Sequence, residues 1–150
     1  MSLIPLSGYA SVFDVPDLSG DVTVKGCFED SLGERAVLPM LHNHDLSRQI
    51  GRWSEIYEDA YGLYVEGVLD LTYASAQEVW PALAAGRLSG LSIGFETRDS
   101  QPRPGGGRIL QRVDLYEVSL VALALLPQAR LDAPPDAGAP SHLQPHPAAL

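Results

Sequence analysis

The stretch RLSGLSIGFET, residues 87–97, alternates small residues with large apolar ones. Successive side chains of a β-strand point to opposite faces, so this alternation predicts a strand with one core face. The residues on that core face are Leu91, Ile93 and Phe95. The opposite face is nearly bare, because it carries only Gly90, Ser92 and Gly94. Glycine inside a strand costs about 0.5 to 1 kcal/mol relative to alanine and often marks the close approach of a ligand, although a helix packed on small residues explains the pattern equally well.

Most of the remaining chain has the period-two pattern that is typical of strands. The predicted strands are an opening strand from Ile4 to Ala10, a second from Val37 to Asp45, a hairpin of residues 51–58 and 62–71, a strand from Leu88 to Thr97, and a strand pair between Arg108 and Leu126. The inward residues of the hairpin are predicted to be Trp53, Ile56, Leu63, Val65 and Val68. Many strands with one or two helices predict an α+β protein that is mainly β, with a closed or strongly bent β-barrel and a few surrounding helices.

One segment, SAQEVWPALAAGRL at residues 75–88, fits a helix that ends at Gly86. Thr72 or Ser75 is the predicted N-cap of this helix. Pro81 is expected to kink the helix or to end it early, because proline lacks the backbone N–H that a helix interior needs.

Composition divides the chain near residue 131. Residues 1–131 carry the patterned segments and are predicted to form one domain, whereas residues 132–150 are rich in proline and alanine and are predicted to be a disordered tail. Within the domain, DSQPRPGGGR at residues 99–108 is expected to be a flexible loop that joins two strands, because its prolines and successive glycines do not support a regular element.

Charge and cysteine content limit the classes of function. The chain has 150 residues and a formal net charge of −9, without a basic cluster, so nucleic acid is not an expected partner. The single cysteine, Cys27, excludes an internal disulfide and a cysteine-based zinc site, and it fits a reducing cytosol. No apolar run approaches a membrane span and no signal peptide is evident, so a soluble protein without a membrane partner is expected.

The segment LHNHD, residues 41–45, contains two histidines two positions apart, His42 and His44. On a strand both side chains would project from one face. A metal site would need a further ligand that the sequence does not supply at a suitable spacing, so no metal is expected. His44 is either a solvated or hydrogen-bonded histidine at a strand end or a general base, since imidazole gains and loses a proton near neutral pH.

The apolar segment DLYEVSLVALALL, residues 114–126, carries Glu117 and Ser119 on one face. A buried carboxylate costs several kcal/mol unless a group donates a hydrogen bond to it, and an imidazole N–H is a suitable donor. The alternative is a glutamate that faces water on an edge strand. A serine, a histidine and a carboxylate are the groups that a serine hydrolase requires, so Ser92, His44 and Glu117 form a hypothetical triad.

Seven blocks of the chain, taken in order, resemble a known family. They are GYASVFDV, SGDVTVKGCFEDSL, LPMLHNHD, IGRWSEIYED, GLYVEGVL, GRLSGLSIGF and DLYEVSLVALALLPQARL, and they run from about Gly8 to Leu131. In this order they resemble the tailed-bacteriophage (caudovirus) prohead serine proteases, the capsid-maturation enzymes, whose fold is related to that of the herpesvirus assemblins. The resemblance implies a β-barrel ringed by helices and a homodimer.

The same resemblance implies which residues act. The serine of the G-L-S-I-G-F block is Ser92, the histidine of the N-H-D block is His44, and the acidic residue of the L-x-E-V-S block is Glu117. An extended substrate peptide is expected to lie on the bare face made by Gly90 and Gly94. His42, where the family more often has an apolar residue, raises the alternative that it assists His44, and residues 105–107 are a candidate source of oxyanion donors.

The function that the resemblance implies is a serine endopeptidase without a cofactor. It would cleave the scaffold, or the scaffolding segment of the major capsid protein, and also itself, inside assembling proheads in the bacterial host cytoplasm. The alternatives are a catalytically inactive scaffold or capsid-interaction protein of the same fold and an esterase that acts on small molecules.

Overall fold

The computed structural model describes residues 2–34 and 37–133. Within them the elements follow the order β1 (Leu3–Val12), β2 (Val22–Thr23), α1 (Glu29–Glu34), β3 (Leu38–His42), β4 (Asp45–Glu58), β5 (Gly62–Asp70), α2 (Ala74–Ala84), β6 (Gly90–Pro102), β7 (Arg108–Val121) and β8 (Arg130–Leu131). Seven of these strands form a closed ring in the order β7, β3, β4, β5, β1, β8 and β6, and the pairing of β6 with β7 closes it. The predicted α+β class with a β-barrel is therefore confirmed.

Apolar side chains from all sides of the ring fill the barrel. The largest of the fully buried side chains include Trp53, Phe28, Ile4, Leu38, Met40, Ile50, Leu63, Leu69 and Leu91. The indole N–H of Trp53 donates to the backbone carbonyl of Val118 at 3.0 Å, so the one polar atom of this large side chain is satisfied inside the core. Val68, which was predicted to face inward, is only half-buried. Alternation along β5 from Leu63 and Val65 places Leu69, which is fully buried, on the inward face and Val68 on the opposite face.

Strand β6 is longer than the sequence pattern predicts, and its connection to β7 is shorter. Residues 99–108 were expected to be a loop, but β6 continues to Pro102 and pairs there with Arg108. Only residues 103–107 form the connection, in which three successive glycines have positive φ. The expected strand pair between residues 108 and 126 is a single strand that ends at Val121. Proline is compatible with a strand's last position, so Pro102 ends β6 rather than preventing it.

Helix α2 matches its prediction in place but not in its cap. Thr72 is not the cap, because its hydroxyl donates to the Asp70 carboxylate, and the N-cap is Tyr73 without a side-chain hydrogen bond. Pro81 lies inside the helix, and the helix continues for three more residues to Ala84. Gly86 has a φ of 77°, which ends the helix in the left-handed conformation as predicted.

Helix α1 was not predicted individually, since its six residues are too few to show a helical period. Among the described residues, no helix is long and apolar enough to cross a membrane. Of the predicted tail, only its first two residues, 132 and 133, are among the described residues. Asp132 is bound to the barrel, because its backbone N–H donates to Ser7 and its carboxylate accepts from the Tyr64 hydroxyl.

Candidate active site

Three adjacent strands bring the predicted site residues together. Strand β7 lies between β3, to which it is parallel, and β6, to which it is antiparallel. Ser92 on β6 is in register with Ser119 on β7, and Gly94 is in register with Glu117. The end of β3 reaches the same point, because His42 is in register with Leu120. Residues that are far apart in sequence, such as His44 and Ser119 at a separation of 75 positions, therefore meet on one patch of the barrel.

His44 reaches this patch from a tight turn rather than from a strand. Strand β3 ends at His42, which pairs directly with Asp45 at the start of β4, so Asn43 and His44 are the only two turn residues. Their φ values are 54° and 61°, as in the type I′ turns that join hairpin strands. The expectation of one strand from Val37 to Asp45, with both histidines on one face, is therefore wrong. Non-glycine residues in the left-handed region are uncommon and cost about 1 kcal/mol or more, and they cluster at functional sites.

Both ring nitrogens of His44 have partners in the predicted set. Nε2 lies 2.9 Å from the Ser92 hydroxyl oxygen. Nδ1 forms a short hydrogen bond and ion pair with Oε2 of Glu117. The three side chains thus form a continuous relay from hydroxyl to imidazole to carboxylate, although only the histidine and glutamate were linked to each other by a physical argument from the sequence.

Burial differs along this relay. The Glu117 side chain is 8% exposed and the His44 side chain is 41% exposed. The glutamate therefore lies inside the barrel wall, not on a solvated edge as the alternative interpretation required. The hydrogen bond that the imidazole donates to Glu117 raises the pKa of His44 above its ordinary value, and partial burial opposes this effect. The carboxylate thus favours a proton on the imidazole.

A second buried serine, Ser119, connects the parts of the site. It is completely buried, and its hydroxyl donates to Oε1 of Glu117 at 2.8 Å while it accepts the backbone N–H of His44 at 2.9 Å. The sequence placed Ser119 on the same strand face as Glu117 but gave no signal for its bond to His44. That bond depends on the turn geometry, which strand periodicity does not predict.

Contacts inside the protein leave no room for a side chain at either of the two glycines beside Ser92. A Cβ at position 94 would lie 2.6 Å from Cδ of Glu117, so the absence of a side chain makes room for the carboxylate. A Cβ at position 90 would lie 2.8 Å from the backbone oxygen of Val121 and 3.2 Å from Cβ of Ala124. Close packing inside the protein accounts for both glycines, and contact of either with a substrate stays a prediction.

Two other candidates do not join the relay. Nδ1 of His42 accepts a hydrogen bond from Arg48 at 3.3 Å, and Arg48 in turn pairs with Glu78. Both ring nitrogens of His44 are hydrogen-bonded, one to Ser92 and one to Glu117, so neither is available for a hydrogen bond with His42. The glycine connection at residues 105–107 comes after Pro102, the last residue of β6. Pro102 is ten positions from Ser92, a separation of about 30 Å along a strand. The expectation that it supplies oxyanion donors is therefore wrong.

Ser92 also lines a cavity of about 40 Å³. Its walls are largely apolar and include Ala10, Val15, Leu91, Ile93, Phe95, Leu110, Leu125 and Leu126, with Ser11, Asp17, Asp21 and Thr23 as polar members. Within residues 2–34 and 37–133, no group of three or more His, Cys, Asp or Glu side chains is placed to hold a metal ion. The chemistry that these residues can perform is proton transfer along the relay and nucleophilic attack by a hydroxyl.

Comparison with protein families identifies the chain. The model of the family described as caudovirus prohead serine protease matches residues 2–139. The chain belongs to this family. Among curated proteins, the prohead protease of Enterobacteria phage HK97 is 32% identical over 130 residues, which are 84% of this chain and 58% of that protein. The chain therefore spans less than two thirds of the length of this relative.

Solved structures of viral proteases share the fold of this prohead protease family member. The bacteriophage T4 capsid assembly protease matches with a TM-score of 0.65 at 14% identity, over 78% of this chain and 80% of that one. The Kaposi's sarcoma-associated herpesvirus (KSHV) protease in complex with a hexapeptide phosphonate inhibitor matches with a TM-score of 0.56 at 16% identity, over 87% of this chain and 64% of that one. The likeness in fold to the herpesvirus proteases is thus confirmed.

Proposed function

We propose that this family member is a serine endopeptidase of phage capsid maturation that uses Ser92, His44 and Glu117. The observation that carries the proposal is the relay in which His44 places Nε2 at 2.9 Å from the Ser92 hydroxyl and Nδ1 against the Glu117 carboxylate. Family membership supports the reaction class. A serine hydroxyl is a weak nucleophile unless a base takes its proton, and an imidazole needs a fixed tautomer to act as that base.

In the proposed reaction, the Ser92 oxygen attacks the carbonyl carbon of the scissile peptide bond while its proton passes to Nε2 of His44. Glu117 holds the Nδ1 proton and stabilises the imidazolium that forms. Nε2 then protonates the leaving amine, which departs and leaves an ester on Ser92. Water attacks this ester, again with His44 as the base, and releases the carboxylic acid and the free hydroxyl.

The edge of β6 offers a place for an extended substrate. One edge pairs with β7 along the whole strand. On the other edge, among the described residues, Gly90 pairs with β8 and the Leu91 N–H donates to the Ala129 carbonyl at 2.9 Å. Beyond Leu91 no described strand pairs with this edge, so we propose that a peptide adds there as a further strand, a common mode of peptide recognition. Such a peptide would bring its carbonyl to the Ser92 hydroxyl and a side chain to the cavity that Ser92 lines.

The proposed substrates are the scaffold or the scaffolding segment of the major capsid protein, and the protease itself, inside the prohead and hence within the host cytoplasm. This assignment rests on the prohead protease of phage HK97 as a relative. Co-expression with the cognate capsid protein, followed by intact-mass measurement of both chains, tests it. We expect loss of a defined segment from the capsid protein, and an unchanged mass would contradict the proposal. A homodimer stays a prediction that light scattering can test.

A fluorophosphonate probe tests the nucleophile without knowledge of the substrate. We expect one covalent adduct on the wild-type protein and none on Ser92→Ala or His44→Ala, because both the hydroxyl and its base are needed. Ser89→Ala is the matched control, since the Ser89 hydroxyl lies on the same segment but accepts from Arg130 at 2.9 Å instead of contacting the relay. Labelling of Ser92→Ala at the wild-type rate would place the nucleophile elsewhere.

A further inference from the structure

The buried hydroxyl of Ser119 contacts two different parts of the site at once. It accepts the backbone N–H of His44 at 2.9 Å and donates to Oε1 of Glu117 at 2.8 Å. The other carboxylate oxygen, Oε2, bonds Nδ1 of the His44 ring. Ser119 therefore closes a hydrogen-bonded loop that runs from the backbone of His44, through both oxygens of Glu117, back to the imidazole of the same histidine.

We propose that Ser119 is a positioning residue, which sets the orientation of the His44 imidazole by fixing both the turn that carries it and the carboxylate that it contacts. The inference rests on the proposed function, because orientation matters only if His44 is the base. The hydrogen bonds of the Ser119 hydroxyl go to His44 and Glu117 and not to the nucleophile Ser92. It acts through the histidine and the glutamate.

The turn makes the first of these contacts important. His44 has a φ of 61°, a backbone conformation that is uncommon for residues other than glycine, and the neighbouring Asn43 has a φ of 54°. Two hydrogen bonds from the turn to β7 hold it there: Asn43 N–H donates to the Leu120 carbonyl at 3.1 Å, and His44 N–H donates to Ser119. An uncommon backbone conformation of this kind persists only where the surroundings determine it. Loss of the Ser119 hydroxyl removes one of the two hydrogen bonds that hold the turn.

The carboxylate makes the second contact important. Glu117 is 6% exposed, so each of its oxygens needs a donor from the protein. With Ser119 on Oε1, Oε2 is directed at Nδ1, and the plane of the carboxylate is fixed. Without that donor the carboxylate is free to rotate toward another donor, and the Nδ1 contact loosens. In a buried network of this type the hydrogen bonds polarise one another, so the loss of one bond weakens the others.

Ser119→Ala tests the inference, with Ser31→Ala as the matched control. Ser31 is also a buried serine that accepts a backbone N–H of β7, from Leu115 at 2.8 Å, but it contacts no member of the relay. Two quantities are measured for each variant: the rate of fluorophosphonate labelling, and the pKa of His44 by NMR titration of the imidazole. A third measurement, the melting temperature, reports the loss of a buried hydrogen bond in both variants.

We expect Ser119→Ala to slow labelling by about 10- to 100-fold, as the loss of a hydrogen bond to a charged group predicts, and to move the pKa of His44 toward its ordinary value. Ser31→Ala should lower the melting temperature and change neither quantity. If Ser119→Ala fails to fold, Ser119→Cys replaces it, because the thiol nearly keeps the size but is a weak donor. A wild-type labelling rate or an unmoved His44 titration in the folded variant overturns the inference. Labelling of Ser92→Ala is a separate failure, that of the proposed nucleophile.

Discussion

Gly94 lies directly opposite Glu117 in the antiparallel pairing of β6 with β7, and the Glu117 side chain occupies the space that a Cβ at position 94 would need. The absence of a side chain at Gly94 on β6 thus lets the Glu117 side chain on β7 occupy its position beside His44. Ser92 is two positions from Gly94, so the residue that makes room for the carboxylate is also next to the hydroxyl on the same strand face.

Gly94→Ala should reduce the rate of fluorophosphonate labelling by roughly 10-fold or more, because the added methyl group displaces the carboxylate from Nδ1 of His44. The added Cβ would meet only side-chain atoms of Glu117 among its three nearest neighbours, including Cγ at 2.8 Å, so the backbone pairing should survive, and the melting temperature checks this. Gly33→Ala is the control: a Cβ at position 33 meets no atom within 4 Å, and alanine is favoured over glycine in a helix such as α1. Equal labelling rates for both variants would show that Glu117 tolerates the displacement.

Glu117→Gln removes the charge and keeps the shape. The amide accepts at one position only and does not stabilise an imidazolium, so we expect cleavage of the capsid precursor to slow by roughly 10² to 10⁴-fold, against 10³-fold or more for Ser92→Ala or His44→Ala. Double substitutions should be far from additive because the three groups act as a unit. Cleavage at the wild-type rate by Glu117→Gln would assign the glutamate a purely structural role.

Strand periodicity was sufficient to predict the barrel and to place Ser92 and Glu117 on the faces where they meet, because alternation depends only on neighbouring residues. The pairing of His44 with these two residues was not derivable in the same way. It depends on a two-residue turn with a histidine in the left-handed region, and residues other than glycine adopt that conformation too rarely for the sequence to predict it. The contact between Gly94 and Glu117 was not derivable from local pattern either. The space beside this glycine is filled by a side chain 23 positions away in sequence.

Cys27→Ala should leave labelling and cleavage unchanged. The thiol is fully buried, and burial raises its pKa to about 12, so almost no thiolate exists near neutral pH. The measurement is alkylation of the folded wild-type protein by iodoacetamide, followed by intact mass, together with the activity of the variant. We expect no adduct until the protein is unfolded. Loss of activity in Cys27→Ala at an unchanged melting temperature would point to a cysteine mechanism instead.

The pH dependence of both activity and stability follows from the pair formed by His44 and Glu117. The hydrogen bond that the imidazole donates to Glu117 raises the pKa of His44 above its ordinary value of about 6.5, and His44 must be neutral to accept the proton of Ser92. As the pH falls, the labelling rate should therefore begin to drop at a midpoint above about pH 6.5. Glu117→Gln should move this midpoint to lower pH. The measurement is the labelling rate as a function of pH for both proteins.

Stability should show the opposite dependence on pH. A group whose pKa is raised by folding contributes stability that is fully present below its unfolded pKa and is lost as the pH rises through the folded value. The difference in melting temperature between wild type and Glu117→Gln should thus be larger near about pH 6 than near about pH 9. Gln has no charge to pair with the imidazolium, so the variant lacks this contribution at either pH. A difference that grows with rising pH would mean that Glu117 does not stabilise the charged form of His44.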